Sequence, residues 1–286
     1  VNYHPQDLCT DVDLKDYENA ILSSFGRTDW SQKRTKAIED WLLPAMRARG
    51  LDPLRFRTRL EPTLVLSYTS SVFADRTDAA RSTTEGDLNL ATMLAASTDY
   101  LYVGLTAPFR GLHARLLDAV STVAATLTLQ YWADGWVTLP VLDGTLKVAG
   151  KPFSGGGTIL WTLPTDWSPR TVNSSAALYW VRLALSAAPT GATATQLSAV
   201  SVSVFRAPVA YRTLQLIMRE APTSQDGPWL DKAEFYKDEA ESALTRALDS
   251  CGGEFDTDAS GQISEAESQQ TVEQVGGFTG VTLERG

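Results

Sequence analysis

With 286 residues, 43% apolar and 21% charged, the chain carries enough apolar material for one large or two modest cores. Its net charge of −9 gives no overall bias toward nucleic acid, and no apolar run approaches the roughly 20 residues that span a bilayer. Cys9 and Cys251, at opposite ends of the sequence, make no disulfide framework, and the N-terminus lacks the basic-then-apolar pattern of a secretory signal.

Residues 1–12 read as an arm, and helical patterning begins at Asp13. Leu14, Tyr17, Ile21 and Phe25 recur at spacings of three and four, which predicts one amphipathic helix capped by Asp11 or Asp13 and stopped by Gly26. A second helix follows, with Trp30, Ala37, Ile38, Trp41, Leu42 and Ala45 on its apolar side. Asp29 is its expected N-cap, and Pro44 is expected to kink or restart it. This first helical segment runs through residues 13–60.

Across 61–206 charges thin out while Thr, Ser, Val, Gly and Trp rise. TLVLSYT, DYLYVG, LHARLL, ATLTLQYW, GWVTLPVL, GTILWTL, LYWVRLALS and LSAVSVSVF are short runs separated by turn signals. In the fourth, Ala125, Leu127, Leu129 and Tyr131 share a face; in the seventh, Tyr179, Val181, Leu183 and Leu185 do. Period-two patterning over roughly eight runs predicts an antiparallel, jelly-roll-like β-sandwich. Asp134-Gly135 is a hairpin turn that brings Trp132 and Trp136 together.

Helical grammar returns over 207–250, in VAYRTLQLIMRE and in PWLDKAEFYKDEAESALTRALDS. Pro228 suits the first turn of the latter, and Leu230, Ala233, Ala240, Leu244 and Leu248 form its expected buried stripe. The fold class is therefore α+β and multidomain: a helical bundle interrupted by a large β-sandwich insertion. Residues 251–286 are Gly-rich and acidic, with seven carboxylates against Arg285, and read as an extended tail that orders against a partner. By contrast, the span from Arg27 to Arg59 holds nine basic and four acidic residues. In a ring of identical subunits, the basic helix of one copy would face the acidic part of the next.

Little in the sequence points to catalysis, and the chain is read as a non-enzyme. His113 lies among alternating apolar residues without a nucleophile elbow, and Gly155-Gly156-Gly157 lacks the Lys-Ser/Thr of a phosphate loop. Trp132 and Trp180 lie opposite the more apolar strand faces and are the candidates for stacking on glycans, whereas Trp161 belongs to a core. FDTDASGQISEAE matches a calcium loop in spelling. Asp256, Asp258 and Ser260 would offer side-chain oxygens, Gln262 a backbone carbonyl and Glu267 a bidentate carboxylate, with Gly261 making the turn. The same stretch contains Ser264-x-x-Glu267, a capping box that would open a short helix reaching Val275 with no metal involved. A structural calcium ion is thus the one cofactor candidate.

The helical opening DLKDYENAILSSFGRTDWSQKRTKAIEDWLLPAMRARG, the resumption at YRTLQLIMRE and the acidic end resemble the head–tail connector (adaptor) proteins of tailed bacteriophages. YLYVG, LQYWADGWVTL, WTLPTDW and LYWVRLALS resemble sandwich domains carried on phage virion proteins. The resemblance implies a homo-oligomeric ring, typically of twelve copies, beneath the portal protein. It also implies a downstream neck or tail protein as second partner, DNA passing the lumen without sequence-specific binding, and no membrane. Assembly in the host bacterial cytoplasm and residence in the virion neck follow from it. Minimal adaptors lack so large an insertion. The alternative expectation is a carbohydrate-binding or host-surface-binding β-sandwich module of a phage tail or baseplate.

Overall fold

A computed structural model describes residues 5–19, 21, 25, 27, 29–84, 86–220, 228–258, 260 and 262–270. The fold is α+β, with three antiparallel sheets. The chain divides into two compact units, Val1–Thr58 with Val202–Gly286, and Arg59–Ser201.

In the first unit a helix over Ser31–Ala37 passes through a π-helical turn, Ile38–Leu42, into a helix over Leu43–Ala48. Pro44 explains the turn. It has no N–H to donate, and its ring would collide with the carbonyl four residues back in a regular helix. Widening the preceding turn, so that Leu43 N–H reaches Ile38 C=O, relieves the clash. Asp29 is not the N-cap it was expected to be: Trp30 holds that position without a side-chain cap bond, and Asp29, one residue earlier, accepts Ser31 N–H at 2.8 Å. The long helices Arg206–Glu220 and Pro228–Ser250 pack together. One core joins Leu14, Ile38, Leu42 and Met46 to Phe205, Leu214, Ile217 and Leu248. Arg34 pairs with Asp11 and Lys33 with Glu220, while Arg206 bonds Asp13 at 2.8 Å.

Three further expectations for this unit need correction. Helical structure that starts at Asp11 ends at Leu14, and its N-cap is Thr10, with Asp13 closing a capping box by accepting Thr10 N–H at 2.6 Å while also binding Arg206. Leu230 is 48% exposed, and the buried stripe of its helix runs instead through Ala233, Tyr236, Ala240, Ala243, Leu244, Ala247 and Leu248. The residues after Ser250 are not an extended tail as far as Gln270: Cys251 and Phe255 belong to the core, and Phe56 stacks edge-on to Phe205 while leaning on Phe255. Residues 271–286, including the expected continuation to Val275, lie outside the described residues.

The second unit is built on two larger sheets. The six-stranded sheet runs β3 (Val72–Asp75), β2 (Leu64–Thr69), β5 (Tyr100–Leu105), β11 (Tyr179–Leu185), β7 (Leu127–Trp132), β8 (Trp136–Leu139). The five-stranded sheet runs β1 (Arg59–Leu60), β13 (Gln196–Val200), β6 (Gly111–Arg115), β10 (Gly157–Leu160), β9 (Leu142–Asp143). A small pair joins β12 (Thr193–Ala194) to β4 (Leu88–Asn89).

Val65, Val103, Val181 and Tyr131 line up across the six-stranded sheet and share one core with Leu112, Ala114, Ile159, Leu197 and Ala199 of the five-stranded sheet. Strand alternation forces the remaining side chains of the six-stranded sheet onto its far face. There Trp180 lies over Gly104, where an added Cβ would sit 2.8 Å from the indole. Among the described residues no helix is long and apolar enough to cross a membrane.

Candidate functional site

The calcium-like loop is anchored at its start by backbone pairing. Phe255 bridges Phe56, Arg57 N–H donates to Glu254 C=O at 2.9 Å, and Asp256 N–H donates to Arg55 C=O at 2.8 Å. Asp256, Asp258 and Glu267 bring one oxygen each within 4.8 Å of one another. Those oxygens already have protein partners. Glu267 Oε1 accepts Thr257 N–H at 2.6 Å, Thr257 Oγ1–H at 2.7 Å and Asp258 N–H at 3.2 Å. Its Oε2 accepts the N–H and hydroxyl of Ser264, both at 3.0 Å, completing the capping box. Burial disfavours the ionised form, but the Ser264 and Thr257 donors outweigh it and hold this carboxyl below its usual range.

The other expected ligands are similarly committed. Asp256 is fully buried, with Oδ2 3.1 Å from the Arg57 guanidinium and Oδ1 accepting Ser260 N–H at 3.0 Å. Asp258 shares that same amide at 2.9 Å. Ser260 hydroxyl donates to Gln262 C=O at 3.1 Å, so two expected metal ligands bind each other. Three carboxylates converge here, and a calcium ion, which takes six to eight oxygens, would have to draw them away from these protein donors. A guanidinium supplies the positive charge that a cation would bring. Gly261 lies outside the described residues.

The far face of the six-stranded sheet carries a different chemistry. Trp132 and Trp136 pair across the β7–β8 hairpin with ring centroids 5.5 Å apart, edge to face. Tyr102 stands 5.5 Å from Trp136, and Tyr68, Phe73 and Tyr100 continue the aromatic row toward β3. Trp132 is half-buried, as a stacking candidate requires. Trp180 is not: it is 0% exposed, and its indole N–H is spent on Arg170 C=O at 2.7 Å. The packing of Val172 and Leu178 over it explains the burial, so Trp180 is a core residue and cannot face a glycan.

Sequence reasoning passed over the two arginines of this face. Arg182 lies 4.3 Å from the ring centroids of both Tyr100 and Trp136, and Arg170 lies 3.7 Å from that of Trp132. The available signal was Arg182 itself, a charge at a far-face position of LYWVRLALS. His113, on β6, sits with Nδ1 3.1 Å from Thr158 Oγ1.

No protein-family model matches this chain, and no curated protein matches it in sequence.

Proposed function

We propose that the chain is a structural virion protein, a head-to-tail connector (adaptor) whose copies form a ring beneath the portal, join capsid to tail and let DNA pass. In this reading the first unit is a helical bundle and the second a β-sandwich inserted into it. The supporting observation is the arrangement of the chain: segments on either side of residues 59–201 build one helical unit, and residues 59–201 form a separate compact unit. An adaptor needs such a plan if one unit is to pack in a ring while another projects from it. The portal and the next neck protein are the partners, and no catalysis is invoked.

The charge argument takes a new form. Arg57 meets Asp256, and Arg49 meets Asp249 at 2.8 Å, within one chain. Arg47 is exposed on the Leu43–Ala48 helix, and Asp238 and Glu241 are exposed on the Pro228–Ser250 helix. These remain available for contacts between copies.

Electron microscopy of the purified chain, alone and with portal, tests the reading. A symmetric ring is expected, and truncation after Gln270 is expected to weaken portal binding. Truncation after Ser250 would be uninformative, since it removes Phe255 from the core. A monomer that forms no ring with or without portal overturns the proposal.

A second reading is favoured by the aromatic face around Trp132, Trp136 and Arg182. It makes the β unit a carbohydrate-binding module that contacts a host surface.

A further inference from the structure

We propose that the far face of the six-stranded sheet binds a carboxylate-bearing saccharide, with the Arg182 guanidinium taking the carboxylate and the neighbouring rings taking the sugar. This rests on the carbohydrate reading of the β unit and names the class of sugar.

The position of Arg182 is set by its neighbours. Cross-strand register places it between Tyr102 on β5 and Gln130 on β7. Its Nε donates to Gln130 Oε1 at 2.8 Å, and Nη1 reaches the Tyr102 hydroxyl at 3.4 Å. Together with the Tyr100 and Trp136 rings, these contacts hold the guanidinium in one orientation. Nη2 donates to nothing among the described residues. A planar fork held this way, with donors to spare, is suited to bidentate recognition of a carboxylate. Its entropy of ordering is already lost before a ligand arrives.

Charge points the same way. Neither Arg182 nor Arg170 forms an ion pair with a carboxylate among the described residues. The chain has 34 acidic residues against 25 basic ones, so scarcity of acids does not account for that. Two uncompensated guanidiniums therefore flank one tryptophan pair on a strongly acidic protein. An anion is the complementary ligand.

Half-buried Trp132, Trp136, Tyr100, Tyr68 and Phe73 make it more than an anion site. The parts of these rings that the two guanidiniums leave uncovered offer apolar contact to the C–H surface of a pyranose ring, while Gln130 offers an amide for a hydroxyl. A simple phosphate or sulfate would use the charge and leave the rings idle. A uronic or sialic acid uses both.

The test is calorimetric titration of the full chain with trigalacturonic acid and sialyllactose, each against a neutral counterpart, the trimethyl ester and lactose. At least one acidic sugar is expected to bind at least tenfold more tightly than its neutral counterpart. Arg182→Gln is expected to remove that tenfold preference, and Arg182→Lys to reduce affinity for the acidic sugar at least threefold, since ammonium keeps charge but not the fork. Arg115→Gln, an exposed substitution on β6, is expected to leave binding unchanged. Thermal melting of each variant reports folding, and if Arg182→Gln does not fold, Arg182→Lys decides. Equal binding of acidic and neutral sugars overturns this inference but leaves the carbohydrate reading standing. Binding of none of the four overturns both. Unchanged acidic-sugar affinity in a folded Arg182→Gln, or in Arg182→Lys, also overturns the inference.

Discussion

Glu254 ties together the two places where the backbone leaves and rejoins the helical unit. Its C=O accepts Arg57 N–H at 2.9 Å, and its carboxylate accepts Ser203 hydroxyl and Val204 N–H, each at 2.7 Å. Burial pushes the carboxyl up to about 7, and those two hydrogen bonds only partly oppose the shift. In the unfolded chain the same group ionises near 4.5, so its contribution to stability is fully present below that pH and is lost as pH rises through about 7. Denaturation of the full chain at pH 5 and pH 8 is expected to show a loss on the order of 3 kcal/mol from this group. Glu254→Gln keeps the shape, removes the titration and should flatten that part of the profile; an unchanged slope would refute the assignment. In the sequence Glu254 was one acid among several after Ser250. Only its contacts with residues some 50 and 200 positions away single it out.

At the scale of an element, the 256–267 loop carries two spellings at once, a capping box and a liganding pattern. Ser264-x-x-Glu267 was readable as a capping box, and the box forms. The liganding pattern was equally readable, but Arg57 was invisible to it because a cation from nearly 200 residues away leaves no mark on local spacing. Glu267 holds five hydrogen-bond donors with a side chain only 4% exposed. Glu267→Ala is expected to cost about 2–3 kcal/mol by stranding those donors. Chelator is expected to leave the melting temperature of the wild-type chain unchanged. A fall in melting temperature with chelator, restored by calcium, would show that the loop opens to take an ion. Strand patterning was the most legible feature, since Leu129, Tyr131, Val181 and Leu183 face the core as their alternation requires. The β4–β12 pair was missed because strands of two residues are too short to display a period, and β3 because its burial does not alternate.

For the whole molecule, the change in composition near residues 61 and 207 announced two kinds of structure, and the compact units divide at Arg59 and Ser201. Packing of residues 251–270 was not announced. Acidic, Gly-rich sequence hides the few apolar contacts, Phe255 and Ile263 above all, that fix the segment in place. Each unit has its own apolar core, so calorimetry of the full chain is expected to resolve two transitions. Leu214→Ala should lower one and Val103→Ala the other, each by roughly 2–4 kcal/mol; a single transition shifted by both would show the cores to be coupled. The pairing of β1 with β13 has one more consequence. Arg59 sits opposite Val200, so the first and last strands of the second unit's five-stranded sheet are hydrogen-bonded neighbours. The unit's two ends are thus no farther apart than adjacent strands, about 5 Å. A turn of a few residues would span that gap, so a chain in which such a turn replaces residues 59–201 is expected to keep the core that joins Leu42, Leu214 and Phe255; loss of its helical signal would refute this.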